Sequence, residues 1–443
     1  MPDQSQSSPP PKPLGRALRL GTTPPLPPAS RIALLAGRTA SRLSRALGKG
    51  RGAQVGGKVA YRLRPQTLGD LAAGRTSVLV SATNGKSTTG ALLAAAVQTL
   101  GRTAFNATGA NMEEGIVVAL DSDRSAPYAV LETDEAYLGV VVAATRPTVL
   151  VLMNLSRDFL ERGVRAKRLA QHWKETVAGI DWPCTIVANA DDALVAWAVR
   201  DAPNVAWVAG EDAFLRDTML CRDCLLRLTR KGDDWRCERC GFHRPAPAWY
   251  LDRDDGNTAV STSGRYPLPS ALPGHAARVN ALFALAAATQ MGVAPEVAIA
   301  EIAKVENVDG RYAPHAFGDH LIQVFLAKNP ASWSESLATL SHTAQGDSPP
   351  AIVLAMSGRG EGGGQDTAML WDAPFEELVG LKVTTAGSRG DELALRLMAA
   401  GVDVRRAGDD VVQVIEQQQS GSVQLVANWP AFNAVLDRIG RGA

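Results

Sequence analysis

The stretch Val78-Leu79-Val80-Ser81-Ala82-Thr83-Asn84-Gly85-Lys86-Ser87-Thr88-Thr89 reads as a buried strand, a loop of small residues and the start of a helix. That succession is the setting a phosphate loop requires, because backbone N–H groups at a helix N-terminus point at the phosphates and the helix dipole favours their charge. Thr83, Asn84 and Gly85 line the loop, and Gly85 allows the chain to approach closely. Lys86 is placed to neutralise the β- and γ-phosphates of ATP, Ser87 to hold Mg²⁺ through its hydroxyl, and Thr88 to continue the helix start. Val80 stands where the full Walker pattern has its first glycine. The plainer alternative is a Gly-Lys turn capping an ordinary helix.

Outward from this loop, residues 66–310 alternate strand and helix signals. Ser77–Ser81, Tyr128–Glu132, Thr148–Asn154 and Thr185–Asn189 are short apolar runs of strand length, while Thr88–Leu100 and Ala277–Gly292 have helical composition. The alternation predicts a parallel sheet covered by helices on both faces. A second α/β region follows the Asp309–Gly310 turn. Its strands are expected near Leu321–Leu326, Ala351–Met356 and Lys382–Thr385, and its helices at Trp333–Ser341, Asp391–Ala400 and Val411–Gln419. The expected organisation is a Pro-rich disordered leader (1–30), a basic extension (31–65), an ATPase domain (66–312) with a cysteine-bearing insert at about 217–245, and a C-terminal Rossmann-like α/β domain (313–443).

With 443 residues, 46% of them hydrophobic and 21% charged, the chain is long enough for more than one core. Its greasiest stretch, Val279–Ala294, is interrupted by Asn280 and Gln290, which argues against a membrane-spanning helix, and the start lacks a signal-peptide plan. The net charge of +1 conceals a split: residues 1–65 hold twelve Lys or Arg against Asp3 alone, leaving an acidic remainder. An acidic body is a poor general nucleic-acid binder. From Arg31 to Leu47, Ile32, Leu35, Leu43 and Leu47 fall at helical spacing among Arg31, Arg38, Arg42 and Arg45. This predicts a basic amphipathic helix, either packed on the first domain with a solvated Arg face or weakly held to anionic lipid.

Four of the five cysteines are clustered as Cys221-x-x-Cys224 and Cys237-x-x-Cys240. Two such knuckles on a hairpin offer four thiolates in a tetrahedron, the closed arrangement of structural Zn²⁺, in a cytoplasmic, reducing setting. No position remains for water, so the metal serves folding rather than catalysis. Arg222, Arg227, Arg230, Lys231, Arg236 and Arg239 lend some substance to a nucleic-acid ribbon, but aromatic interleaving is thin. Cys184 is expected to be a buried apolar residue.

The Thr-Asn-Gly-Lys-Ser-Thr loop resembles that of the Mur ligases and folylpolyglutamate synthetases. Further segments occupy matching places in order: Asn106 to Asn111, Glu132-Thr133-Asp134-Glu135, Asn154 to Asp158, Asn189 to Asp192, Gly274-His275 with Asn280, and Gly310-Arg311-Tyr312. The four-cysteine ribbon, Ala327-Lys328-Asn329-Pro330 and the segment Asp366 to Asp372 narrow the resemblance to the MurT family of Mur ligase-like subunits. Two departures stand out: Ala82 replaces a glycine common among Mur ligases, and Gly358 to Asp366 is longer and richer in glycine than the family's turn.

The resemblance implies a heterodimer with a GatD-like class I glutaminase. It implies ATP-dependent amidation of the α-carboxyl of D-isoglutamate in the lipid II stem peptide, through an acyl-phosphate. By the same resemblance Mg²⁺ sits between Ser87 and Glu132, with Asp134 or Glu135 as alternatives, and Lys86 and Glu132 count among the catalytic residues. Asn280 and Arg311 line the nucleotide; for Asn280 a local helix cap is the competing account, and His275 either touches the base or does nothing. Asp366 completes a Cys–His–Asp triad whose other members come from the glutaminase, with Asp372 as the competing carboxylate. A soluble enzyme acting on lipid II belongs at the inner face of the plasma membrane. The competing functions are a Mur or folylpolyglutamate-type amino-acid ligase and a non-catalytic zinc-ribbon nucleotide sensor.

Overall fold

The computed structural model describes residues 23–47, 53–106, 110–157, 166–210, 218–269, 274–305, 314–344, 349–358, 367–419 and 421–442. They fall into two compact units, one reaching to Val305 and the other lying chiefly from Glu306 onward. Among the described residues no helix is long and apolar enough to cross a membrane.

The first unit is built on strands β1 (Thr76–Ser81), β2 (Thr103–Phe105), β3 (Tyr128–Thr133), β4 (Val149–Leu152), β5 (Thr185–Asn189) and β6 (Val205–Ala209), with β9 (Trp249–Leu251), β10 (Thr258–Ser261) and β11 (Gly264–Pro267). The strand order is β11-β10-β9-β6-β5-β4-β1-β3-β2. Strands β2 through β6 pair in parallel, and β9 joins β6 in parallel before turning back through two antiparallel hairpins. That meander departs from the all-parallel expectation. Its turns lie at Asp254-Asp255-Gly256, where Gly256 adopts φ +58°, and at Thr262-Ser263. β1, β3 and β4 are buried along their whole length, as strands covered on both faces must be, which accounts for their unbroken apolar runs.

β1 lies between β3 and β4, and the chain leaves it first toward the β3–β2 edge and later toward β4. It is therefore the point at which strand order reverses, and ligands of open α/β sheets bind at the carboxyl ends of such strands.

Helices α1 (Pro28–Ala46), α2 (Ala53–Leu63), α3 (Thr67–Ala72), α4 (Lys86–Val97) and α5 (Glu113–Ser122) surround this half of the sheet. α4 begins two residues before the expected start, directly after Gly85. Leu34 of α1 and Ala60 of α2 share one core with Leu68, Leu71, Ile116 and Leu120, so the basic segment is integral to the first unit.

The face by which α1 packs is not the one its spacing suggested. Ser30, Ala33, Leu34 and Gly37 are buried, whereas Ile32, Leu35, Leu43 and Leu47 are each more than 60% exposed. The physical reason is the crossing with α2: a Cβ on Gly56 would lie 2.8 Å from the carbonyl oxygen of Gly37, so the backbones meet where both side chains are absent. Large residues cannot occupy such a seam and are turned outward.

The second unit is a six-stranded sheet of β12 (His315–Phe317), β13 (His320–Leu326), β14 (Ala351–Ala355), β15 (Lys382–Ala386), β16 (Asp403–Gly408) and β17 (Ser422–Ala427). Their order is β12-β13-β17-β14-β15-β16, parallel throughout except for the β12–β13 hairpin. The predicted helices appear as Pro330–Thr343, Gly390–Ala399 and Val411–Glu416, followed by Trp429–Gly442. One core contains Trp333, Leu340, Phe375 and Leu397, and the other, across the sheet, Ile322, Val353, Leu425 and Phe432.

Replacing Gly56 by Val should destabilise the chain by roughly 1–3 kcal/mol, the usual cost of forcing atoms into a packed seam. Urea unfolding of the variant measures this, and an unchanged midpoint would contradict the close α1–α2 crossing.

Candidate active site and metal centre

Gly85 closes the loop after β1 in the left-handed region, φ +86°, and caps α4. A Cβ there would collide with the side-chain oxygen of Asn280, so the loop and the helix Gly274–Gln290 form a cradle only glycine permits. Asn154 braces the loop from the end of β4: Asn84 N–H donates to its Oδ1 (2.9 Å), its Nδ2 donates to Asn84 O (3.0 Å), and Thr83 N–H donates to its backbone oxygen (3.0 Å).

Lys86 is buried. Its Nζ donates to the carbonyl of Ala82 and to Glu135 Oε2 at 2.7 Å. Burial, the largest single influence, pulls the ammonium's pKa down, but Glu135, Glu132 and Asp134 together outweigh it and hold the group above its ordinary value of 10.5. Ser87 Oγ donates to Glu132 Oε1 at 3.1 Å. Asn111 Nδ2 approaches the same oxygen at 3.4 Å, and Asn106 clamps the Glu132 backbone on both sides at 2.8 Å. The three acids of the turn are thus distributed: Glu132 faces Ser87, Glu135 faces Lys86, and Asp134 caps the next turn through Ala136 N–H at 3.0 Å. Trp173 Nε1 donates to Glu135 O at 3.2 Å and fixes that end of the turn.

The four cysteine sulfurs of the ribbon lie within 4.8 Å of one another, with Cys221 and Cys240 at 3.6 Å. A tetrahedral ion with thiolates at about 2.3 Å needs sulfurs about 3.8 Å apart, so the donor set suits a metal. Each knuckle closes by a matching bond, Leu225 N–H to Cys221 O and Gly241 N–H to Cys237 O, both 2.9 Å. The residues donating them take positive φ, +57° and +76°. Backbone N–H groups of Cys240 and Arg239 lower the Cys237 thiol to about 7. Between the knuckles runs the hairpin β7 (Thr229–Lys231) and β8 (Asp234–Arg236), whose Trp235 is buried against Phe242 and donates to Ala190 O at 3.2 Å.

Residues 80–288 match the Mur ligase middle domain and residues 326–432 the MurT ligase C-terminal domain. The MurT subunit of the glutamine-hydrolysing lipid II isoglutaminyl synthase of Streptococcus pneumoniae is 26% identical over 442 residues, spanning 90% of this chain and 95% of its own. The corresponding subunit of Staphylococcus aureus strain N315 is 26% identical over 400 residues, spanning 83% and 87%. In fold, the chain resembles MurF of Thermotoga maritima in complex with ADP, with a TM-score of 0.59 at 16% identity over 88% of this chain and 85% of that one. Together these matches support a MurT subunit.

Most of the residues singled out from the sequence converge. Thr83, Asn84, Gly85, Lys86, Ser87 and Thr88 form the loop and helix start, and Asn280, buried, sits against Gly85 and receives the Thr89 hydroxyl on its carbonyl at 3.5 Å. Because Asn280 lies well inside its helix, the helix-start cap does not describe it. Arg311 and Asp366 lie outside the described residues, as does Asp158. Asp372 is ion-paired with Arg157 at 2.9 Å. Cys184, expected to be buried, is half-buried where it packs against the core, and desolvation pushes its thiol up to about 12.

Asp191 and Asp192 prove to be clamps. Asp192 caps the helix Ala193–Val199 and also accepts from Leu155 N–H at 2.8 Å, while Asp191 receives Gly210 N–H at 2.9 Å and the Arg244 guanidinium. Several basic residues of the ribbon are occupied: Arg222 lies over Trp197 and Arg236 pairs with Glu238. The individual duty of Glu135 was not legible, since adjacent acids in a turn carry no signal of which one faces the lysine. In the second unit Asn329 caps the helix Pro330–Thr343 through Ser332 N–H at 2.9 Å, and buried Arg396 holds the segment Thr367–Asp372 through Leu370 O at 3.1 Å and extends to Ala373 O at 3.0 Å.

Glu135→Gln should cost about 2–4 kcal/mol of stability, since a buried charge loses its partner. A raised lysine stabilises fully below its unfolded pKa and loses that contribution as pH climbs through the folded value. The difference between wild type and variant in urea unfolding should therefore be constant from neutral pH to 9 or so and shrink above 10.5. Growth of the difference at alkaline pH would contradict the pairing.

Proposed function

We propose that this chain is the ligase subunit of an ATP-dependent amidating enzyme. It converts the α-carboxyl of D-isoglutamate in the lipid II stem peptide to D-isoglutamine, with ammonia delivered by a GatD-like class I glutaminase subunit. The observation that carries the reading is the cluster of Lys86, Ser87, Glu132 and Glu135 around a glycine-capped loop, in a chain that matches MurT subunits over nearly its whole length.

The chemistry follows from the positions of these groups. Backbone N–H groups of the loop and the ammonium of Lys86 bind the phosphates, and Asn280 lines the nucleotide. The Ser87 hydroxyl and the Glu132 carboxylate would hold Mg²⁺, which supplies positive charge to the transferring phosphoryl group. An oxygen of the substrate carboxylate attacks the γ-phosphorus and ADP leaves. Ammonia then attacks the acyl carbon of the resulting acyl-phosphate, inorganic phosphate leaves and a proton passes to solvent. The chain contributes positioning and charge neutralisation to both steps. Glu135 acts behind Lys86 and tethers the ammonium at the loop. In the C-terminal domain Asp366 is the carboxylate offered to the partner's Cys–His pair; Asp372 is less suited because Arg157 engages it. Arg311 is assigned to the nucleotide on family resemblance. The four cysteines would hold Zn²⁺, which supplies folding energy to a hairpin too small for its own core.

Incubation of the chain with Mg-ATP, lipid II and ammonium chloride should release ADP and convert the acid of the stem peptide to a carboxamide by mass spectrometry. Lys86→Ala and Glu132→Ala should each lower turnover about a hundredfold or more. ADP release only with an amino acid in place of ammonium would make the chain a peptide-forming ligase, and no turnover even with a glutaminase present would leave the sensor.

Metal analysis should find one zinc per chain. Its removal by a chelator should lower the melting temperature and shift the emission of Trp235, buried between the knuckles. Full retention of both after complete removal would refute a structural metal.

A further inference from the structure

α1 is partitioned in a way that the core of the protein does not explain. At 100° per residue, Ile32, Leu35, Thr39, Leu43 and Leu47 lie within about 60° of a single line along the helix, and the buried stripe of Ala33, Leu34 and Gly37 lies about 150° away. The outward residues are the large apolar ones: Ile32 is 67% exposed, Leu35 63%, Leu43 61% and Leu47 66%. One shoulder of this stripe carries Arg31, Arg38, Arg42 and Arg45, all exposed. Arg38 is spent on Asp121, through two bonds of 2.9 Å. Among the described residues no ion pair engages Arg31, Arg42 or Arg45. Neither α1 nor α2 contains an acidic residue, and α2 adds Lys58 and Arg62, both exposed.

From this arrangement we infer that the outer face of α1 is a membrane-docking surface for a bilayer rich in anionic phospholipid. Ile32, Leu35, Leu43 and Leu47 enter the headgroup–acyl boundary, while Arg31, Arg42 and Arg45 extend to lipid phosphates. An apolar stripe edged by cations is the pattern of an in-plane interfacial helix, and arginine stems reach from the apolar layer to the polar one. Charge complementarity selects this occupant. A second copy docked about a two-fold axis would bring the same arginine shoulders into one interface, which like charges oppose. The inward face, already fixed on α2, leaves the outer one available without unfolding anything. The inference stands on the helix itself and not on the ligase reading; with that reading, it brings the enzyme to a lipid-borne substrate.

The test is sedimentation of the full chain, without nucleotide, with vesicles of phosphatidylcholine alone or mixed with phosphatidylglycerol. Binding to the mixed vesicles should exceed that to phosphatidylcholine about tenfold or more and weaken with salt. Combined replacement Ile32→Ser, Leu35→Ser, Leu43→Ser and Leu47→Ser, and separately Arg31→Gln, Arg42→Gln and Arg45→Gln, should each reduce binding about tenfold. The melting temperature should hold, because the altered side chains are exposed. Leu43→Trp supplies a second readout that needs only one exposed change, and its emission should move to the blue when mixed vesicles are added. Failure of the wild type to bind, undiminished binding by both combined variants, or an unmoved Trp emission would overturn the proposal. A dimer of the wild type that the serine variant dissociates would assign the face to a second copy, and a soluble protein displacing vesicles from it would assign it to a protein partner; either result also overturns it.

Discussion

The ammonium of Lys86 is held out of water, and much of the first unit is arranged to make that tolerable. A buried cation is expensive unless neutralised with good geometry, and Glu135 at 2.7 Å provides the neutralisation. Glu135 can do so because the turn after β3 is fixed from several sides: Asn106 clamps Glu132, Asn111 O receives Asp134 N–H at 2.9 Å, and Trp173 donates to Glu135 O. With the carboxylates of Glu132 and Glu135 divided between Ser87 and Lys86, the loop has one acid for its hydroxyl and another for its cation. A phosphate site on this loop therefore rests on β3 as much as on β1, and the parallel pairing of the two strands sets the distance between them.

The same economy ties the ribbon to the sheet. Asp191 and Asp192 follow β5, and between them they hold the chain after β4, the end of β6, the helix Ala193–Val199 and Arg244 just beyond the second knuckle. Trp235 closes the arrangement by packing in a small core with Ala193, Ala196, Cys221 and Cys237. Disorder among the four cysteines would therefore be felt on the sheet and not only within the hairpin.

The parts of this architecture that sequence revealed are those governed by local pattern. β5 occupies the residues its apolar run marked, the loop ending at Gly85 sits between strand and helix as its composition required, and the spacing of the cysteines defined their cluster. What sequence did not reveal depends on partners distant in the chain. Nothing local distinguishes Glu132 from Glu135 until Ser87 and Lys86 are placed opposite them. Nor does the periodicity of α1 tell which of its stripes faces inward; that is decided by Gly56 on another helix. The β9–β11 meander was overlooked because its strands are only three or four residues long, although Asp254-Asp255-Gly256 marked a turn.

The inversion of α1 sets a limit on how composition relates to packing. A helix crossing at a Gly37–Gly56 contact gains from close backbone approach and from the few side chains, such as Leu34, that reach the core. It has no room for four larger residues, and the entropy of folding gives no reason to retain them on the surface. Scattered apolar side chains on a surface need no explanation, but these form a single row on one helix face, bounded by cations and free of acids. A row of that kind costs solubility in water and gains only where another apolar phase is at hand. The seam between α1 and α2 thus has two consequences from one constraint: it fixes the helix to the first unit, and it presents the helix's greasy side outward.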